Sequence, residues 1–237
     1  GKTPDNGFSA FKETPIYSTG YTSSFSTLSM VSEAHMLKPY KTRVEATYAL
    51  LENVAKIAEK DGVKIQKLHR ESEILKLDKK HLRISTKLDS SSRMLLDFKG
   101  FEYSYEKSKI SGMDRLIYHR NKPIDWKVEY FPYYKTKDSV SVPDYYAISK
   151  SWWRVMEVLN AAKVEYIEIK NDTSLSLEYY KIKGFKTSKD PYEGHYRHSN
   201  TTVEKHMESI ILDNSYVLIP TIQWNRNFIV NALEPSA

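Results

Sequence analysis

Cysteine is absent from this chain of 237 residues. That excludes disulfides, thiolate zinc sites and cysteine nucleophiles, and leaves the compartment open. Glycine and proline are scarce, 8 and 9 residues, which argues against disordered and fibrous classes. No apolar run approaches the roughly 20 residues needed to cross a bilayer, and the opening GKTPDNGFSAF lacks the apolar core of a signal peptide, so no membrane span is expected. The first residue is Gly1 rather than Met, which reads as a processed or engineered start. A G-x-S-x-G elbow, a Walker loop and a dinucleotide fingerprint are all missing, and serine-hydrolase and nucleotide-binding readings fall away with them. Charge of one sign is not concentrated anywhere. The net charge is +6, but Lys and Arg are interspersed with Asp and Glu along the whole length. Nucleic-acid binding, which asks for a clustered basic face, is therefore not expected.

What is present describes a folded protein. The hydrophobic share is 40% and the charged share 28%, close to an average globular domain, and the length suffices to bury a core. Aromatic residues are abundant at 13%, with 18 Tyr, a composition that suits twisted half-buried sheets, wet interfaces or sugar and peptide clefts. Asn171-Asp-Thr173 and Asn200-Thr-Thr202 match the glycosylation acceptor pattern, which matters only in a eukaryotic secretory setting.

The pattern changes along the chain. The opening stretch to about Thr22 reads as loop. In FSTLSMVSEAH, apolar Phe25, Leu28, Met30 and Val31 sit among small hydroxyl residues, which predicts a buried strand over 25–34 with Glu33 at its end. After Lys38-Pro39, Val44, Tyr48, Leu51, Val54 or Ala55, and Ala58 share one helical face, and Asp61-Gly62 supplies a stop. From Val63 to about Val142, VKIQKL, HLRIST, RMLLDF, FEYSYE and WKVEYFPYY alternate between turn signals at LDSSS, Gly100, SGMD and RNKP, which predicts an antiparallel β-rich region. YYAISKSWWRVMEVLNAAKVEYIEIK reads as strand, helix, strand, capped by Ser149 or Ser151. Trp152, Val155, Met156 and Leu159 form its expected buried face, and of the pair Trp152-Trp153 one ring should pack and the other lie near a surface. The tail alternates through LSLEYYKIKGF, VEKHMESIIL and SYVLIP, then closes in a short helix ending at Glu234-Pro235. The expected fold class is α/β to α+β, with a break near Gly62 between residues 1–62 and an accessory α+β region at 63–237.

One segment carries a more specific signal. YSTGYTSSFSTLSMVSEAHMLKPYKTRVEATYALLENV resembles the last strand and last helix of the catalytic domain in zinc metallocarboxypeptidases of the carboxypeptidase A type, above all bacterial members with an added carboxy-terminal region. The later stretches YYAISKSWWRVMEVL, YYKIKGFKTSKDPYEGHY and NALEP are similar to that added region, so the resemblance runs from about Tyr17 to the end. It implies that Glu33 is the catalytic glutamate, that Tyr17 or, secondarily, Tyr21 is the tyrosine that closes over substrate, and that the parent protein removes the carboxy-terminal amino acid of a peptide using zinc. A carboxylate suits the role, since it can take a proton from metal-bound water and return it to the departing amine. A periplasmic or secreted location is also implied.

The chain departs from the family where the metal is held. The family's H-x-x-E and later histidine precede the glutamate strand, whereas no histidine precedes Glu33 here. His69 with Glu71, and His206 with Glu208, have the wrong spacing and follow Glu33. His35 beside Glu33, and the loose group His195, His198 and His206, fall short of the three fixed protein ligands that a zinc site needs. His69, His81 and His119 read as surface residues. The expectation is a carboxy-terminal fragment, inactive alone, with no metal site of its own. Its partners would be an upstream catalytic segment or a second copy, because the strand edge and the apolar helix face would otherwise stay uncovered. The alternative from another class is a carbohydrate- or peptide-binding module built on the exposed aromatics.

Overall fold

A computed structural model describes residues 3–235. Gly1 lies outside them. In chain order the elements are β1 (Phe8–Ser9), α1 (Ser18–Ser23), α2 (Tyr40–Leu77), β2 (His81–Leu88), β3 (Met94–Lys107), β4 (Asp114–Phe131), β5 (Tyr134–Ser141), β6 (Tyr145–Ser149), α3 (Trp153–Ala161), β7 (Ile167–Glu168), β8 (Thr173–Thr187), β9 (His198–Leu212), β10 (Tyr216–Pro220) and α4 (Arg226–Leu233). Helices and several small sheets coexist, so the chain is of the α+β class. It forms two compact units. Gly1–Lys12 and Thr86–Lys137 make the smaller, and Glu13–Ser85 with Asp138–Ala237 the larger. The chain passes from one unit to the other three times, after Lys12, within β2 and within β5.

The smaller unit is a three-stranded sheet in the order β1-β4-β3. β3 and β4 form a long antiparallel hairpin, turned at Ser108–Met113 with Gly112 at φ 68°. Gly100 does not break β3. It sits within the strand beside the Phe98 ring, where an added Cβ would come within 2.9 Å of a ring carbon. RNKP is not a turn either. Pairing passes from Phe101↔Pro123 to Tyr103↔Tyr118, so β4 places four residues against Glu102 alone, a bulge that also gives Pro123 a place without a ladder N–H. β1 adds parallel to β4 through Phe8↔Tyr130 and Ser9↔Phe131. Aromatic contacts run along the sheet, with Phe8 on Phe98 at 5.4 Å and Tyr103 meeting Trp126 at 6.1 Å and Tyr118 at 6.3 Å.

The larger unit holds the main core. Its sheet has the order β6-β10-β7, with β10 antiparallel to both neighbours. β6 and β7 are thus parallel to each other but separated by β10. The expected strand-helix-strand unit exists in split form. α3 and α4 close the sheet through Leu159, Val217, Ile219 and Ile229, all fully buried. α3 is capped differently from expectation. Its N-cap is Trp152, while Ser149 and Ser151 hydrogen-bond each other at 2.9 Å. Neither tryptophan packs, since Trp152 is 66% exposed and Trp153 57%. β8 and β9 form a separate antiparallel ribbon.

Two further expectations change. α2 runs 38 residues without interruption, so Gly62 lies inside it and VKIQKL is helix rather than strand. A Cβ at Gly62 would meet nothing within 4 Å, so this glycine costs about 1 kcal/mol of helix propensity and ends nothing. Second, residues 25–34 form no strand. They have the composition of one, but no neighbouring strand among the described residues pairs with them, and a lone strand leaves its backbone to water.

Candidate functional site

The segment containing Tyr17, Tyr21 and Glu33 divides into a docked part and a free part. α1 lies in the stretch read as loop, and it forms where YSTGY can approach the preceding chain closely. Gly20 is buried with its Cα against the Thr14 carbonyl, where a Cβ would sit 2.0 Å from the oxygen. Only glycine leaves room for that contact. Tyr17 is the N-cap of α1, and Tyr21 stands on its exit.

Aromatic contacts fix the docked part. Tyr21 meets Phe25 edge-on at 5.0 Å and Phe228 of α4 at 5.7 Å, while Phe25 stacks on Phe228 at 5.2 Å and touches Trp224 at 5.3 Å. Polar contacts reinforce them from α2. His69 Nε2 lies 3.3 Å from the Phe25 carbonyl, Ser72 and Ser26 hydroxyls meet at 3.1 Å, and Lys76 Nζ donates to the Ser24 carbonyl at 3.3 Å. Burial pushes the Lys76 ammonium below the ordinary lysine value, with Glu73 pulling the other way. Tyr17 is half-buried, and its hydrogen bond to Tyr192 raises the Tyr192 phenol above its ordinary value.

Beyond Ser26, whose φ is 57°, the chain leaves this anchorage. Leu28 is 78% exposed, Met30 52% and Val31 54%. Glu33 is exposed and makes no hydrogen bond or ion pair with any described residue. His35 turns its Nδ1 to the Leu37 N–H at 3.2 Å. The structure therefore holds Tyr21 in an aromatic cluster, ties Tyr17 to Tyr192, and leaves Glu33 apart from both.

Among the described residues, no group of three or more His, Asp or Glu side chains could hold a metal ion. Of the three histidines that cluster in sequence, two are separated in space for a simple reason. His198 and His206 lie on one strand eight residues apart, roughly 26 Å at 3.3 Å per residue. His198 bonds the Thr187 hydroxyl at 3.0 Å, and His206 stacks on Tyr179 at 5.3 Å near Glu204.

Two polar assemblies gave no signal in the sequence. Arg226 is buried and donates to the carbonyls of Lys76, Leu77 and Lys79. It closes the end of α2, whose last carbonyls have no partner within the helix. Glu234, also buried, accepts from the Tyr146 hydroxyl at 2.6 Å. Burial, and then Glu234, push the Tyr146 phenol far above its ordinary value, and the same two causes raise Tyr180. Distant residues such as 146 and 234 meet only through tertiary packing, so no local spacing announces them. Compared with protein-family models, with curated proteins and with solved structures, the chain matches none.

Proposed function

We propose that this chain is the carboxy-terminal portion of a zinc metallocarboxypeptidase whose intact form hydrolyses the carboxy-terminal amino acid from peptides. One observation supports the reading. The segment that resembles the family's last strand and helix is folded as though its neighbours were elsewhere: Leu28, Met30 and Val31 are exposed in extended chain, and on α2 Val44, Tyr48, Leu51 and Val54 are 48%, 69%, 58% and 37% exposed. An apolar row of this length on a helix, next to an unpaired segment of strand-like composition, suits a strand and helix that complete a larger sheet. In the parent, the upstream segment covers both and carries the metal ligands, Glu33 is the general base and acid, and Tyr17, with Tyr21 as the second candidate, closes on the substrate. The present chain is inactive alone.

The sequence directly upstream of Gly1 tests this. It should encode an in-frame H-x-x-E and a later histidine, and the extended protein should bind one zinc and release carboxy-terminal amino acids, a release lost in Glu33→Gln. Stoichiometric zinc uptake with EDTA-sensitive hydrolysis by the present chain, or an upstream sequence without those ligands, refutes it.

A further inference from the structure

The larger unit carries a groove of about 280 Å³ between α3 and the edge strand β7. Trp153, Glu157 and Asn160 face it from α3, at the spacing that aligns residues on one side of a helix. Tyr166, Glu168 and Lys150 close the other side. The volume lies at the small end of ligand sites and suits one or two sugar-sized rings. We infer that this groove is a binding site for a neutral saccharide. The inference does not rest on the peptidase reading.

Charge narrows the choice first. Lys150 is paired with Glu168, so its ammonium is already neutralised, and Glu157 has no partner among the described residues. One cation against two carboxylates disfavours a phosphate or a peptide carboxylate. A cation stacked on an aromatic ring would need an open face free of positive charge. Trp153 does not provide one: the Arg154 guanidinium lies over its ring, 5.1 Å from the centroid. That contact occupies one side of the indole, and Trp153 is still 57% exposed.

A pyranose fits what remains. Its axial C–H face is apolar and weakly positive, and stacks on an indole or phenol without requiring a charge. Its hydroxyls both donate and accept. The Asn160 amide offers both roles, Glu157 and Glu168 accept, and the Lys150 ammonium donates. The Asn160 amide and the Glu157 carboxylate are not engaged with any other described residue, so neither has to break a protein bond to meet a ligand. These side chains sit on a helix and on a strand whose neighbours Leu159 and Val217 are fully buried, a rigid mounting for a shallow site.

Titration calorimetry on the full chain with cellobiose, maltose and N,N′-diacetylchitobiose tests this, with inorganic phosphate and lysine amide as charged controls. At least one disaccharide should bind saturably. Trp153→Ala and Asn160→Ala should each weaken that binding at least tenfold, and Trp152→Ala, one residue outside the groove, should leave it unchanged. Both groove positions are exposed, so folding should survive, and the unfolding midpoint checks this. If Trp153→Ala alone lowers the midpoint, Asn160→Ala and Glu157→Gln decide the result. Absence of saturable binding by all three disaccharides up to their solubility overturns the inference. So does binding that survives the groove substitutions, or an equal response to phosphate or lysine amide.

Discussion

Replacing Arg226 with methionine keeps a long apolar stem and removes the guanidinium that closes α2. In the native chain Nη1 donates to Leu77 and, at 3.4 Å, to Lys76, and Nη2 donates to Lys79 at 3.0 Å. Hydrogen bonds with a charged partner contribute about 1.5–3 kcal/mol each, and a cation at a helix carboxy terminus adds about 0.3–1 kcal/mol. Arg226 is only 6% exposed, so water restores little of this when the side chain is cut back. Counting the Leu77 and Lys79 bonds at the low end, and neglecting the long one, gives a loss of about 3 kcal/mol. Arg226→Lys keeps the charge but not the fork, and should lose roughly half as much. Urea unfolding followed by tryptophan fluorescence reads the effect directly, because Trp224, two residues from Arg226, touches Phe25. With a slope of about 1–3 kcal/mol per molar, the midpoint should fall by roughly 1 M or more. An Arg226→Met midpoint within about 0.3 M of the native one refutes the cap, and an Arg226→Lys variant as stable as native refutes the role of the forked geometry.

Gly20→Ala should cost about 1–3 kcal/mol, because its Cβ would meet the Thr14 carbonyl at 2.0 Å, and limited proteolysis should then cleave within residues 13–26. Tyr146→Phe leaves buried Glu234 short of a donor and should cost about 1–3 kcal/mol at neutral pH. Because the folded-state phenol is raised, its contribution is fully present below the unfolded value of about 10 and is lost as pH rises further. Native stability should therefore fall above pH ~10 more steeply than that of the phenylalanine variant, as pH-dependent urea melts would show. Leu28→Ser with Val31→Ser should change stability by no more than about 0.5 kcal/mol while reducing binding of a hydrophobic dye, since both side chains already face water. A loss of several kcal/mol would mean the segment is covered in solution.

Periodicity found the elements that bury one face against a close neighbour. β8, β9, β10 and α4 lie where alternation or a helical apolar stripe placed them, because each pairs or packs within the larger unit. The signal failed where a residue type has two uses. Asp61-Gly62 looks like a helix end, yet a glycine in an exposed helix only lowers its stability, and α2 continues until Arg226 takes its last carbonyls. Gly100 and RNKP look like turns, but in a long hairpin they serve as a ring-contact position and a bulge. The strand-like composition at 25–34 was legible and insufficient, since a strand requires a partner. Of the three site residues, the resemblance marked Tyr17 and, secondarily, Tyr21 for the substrate, and the structure shows what Tyr21 touches now, Phe25 and Phe228 of α4. The Arg226 cap and the Tyr146–Glu234 bond depend on side chains far apart in sequence, where local pattern is silent.

The placement of β1 sets a clock. Phe8 pairs with Tyr130, so the first strand of its sheet must wait for 122 further residues before its partner exists. At a synthesis rate of about 5–20 residues per second, that is roughly 6–24 s during which Phe8 and its neighbours have no ladder to join. Over the same interval α2 can form within microseconds of emerging, because its bonds are all local. On the ribosome, β1 thus waits long after it emerges, and Phe25, whose stacking partner is Phe228, waits longer still.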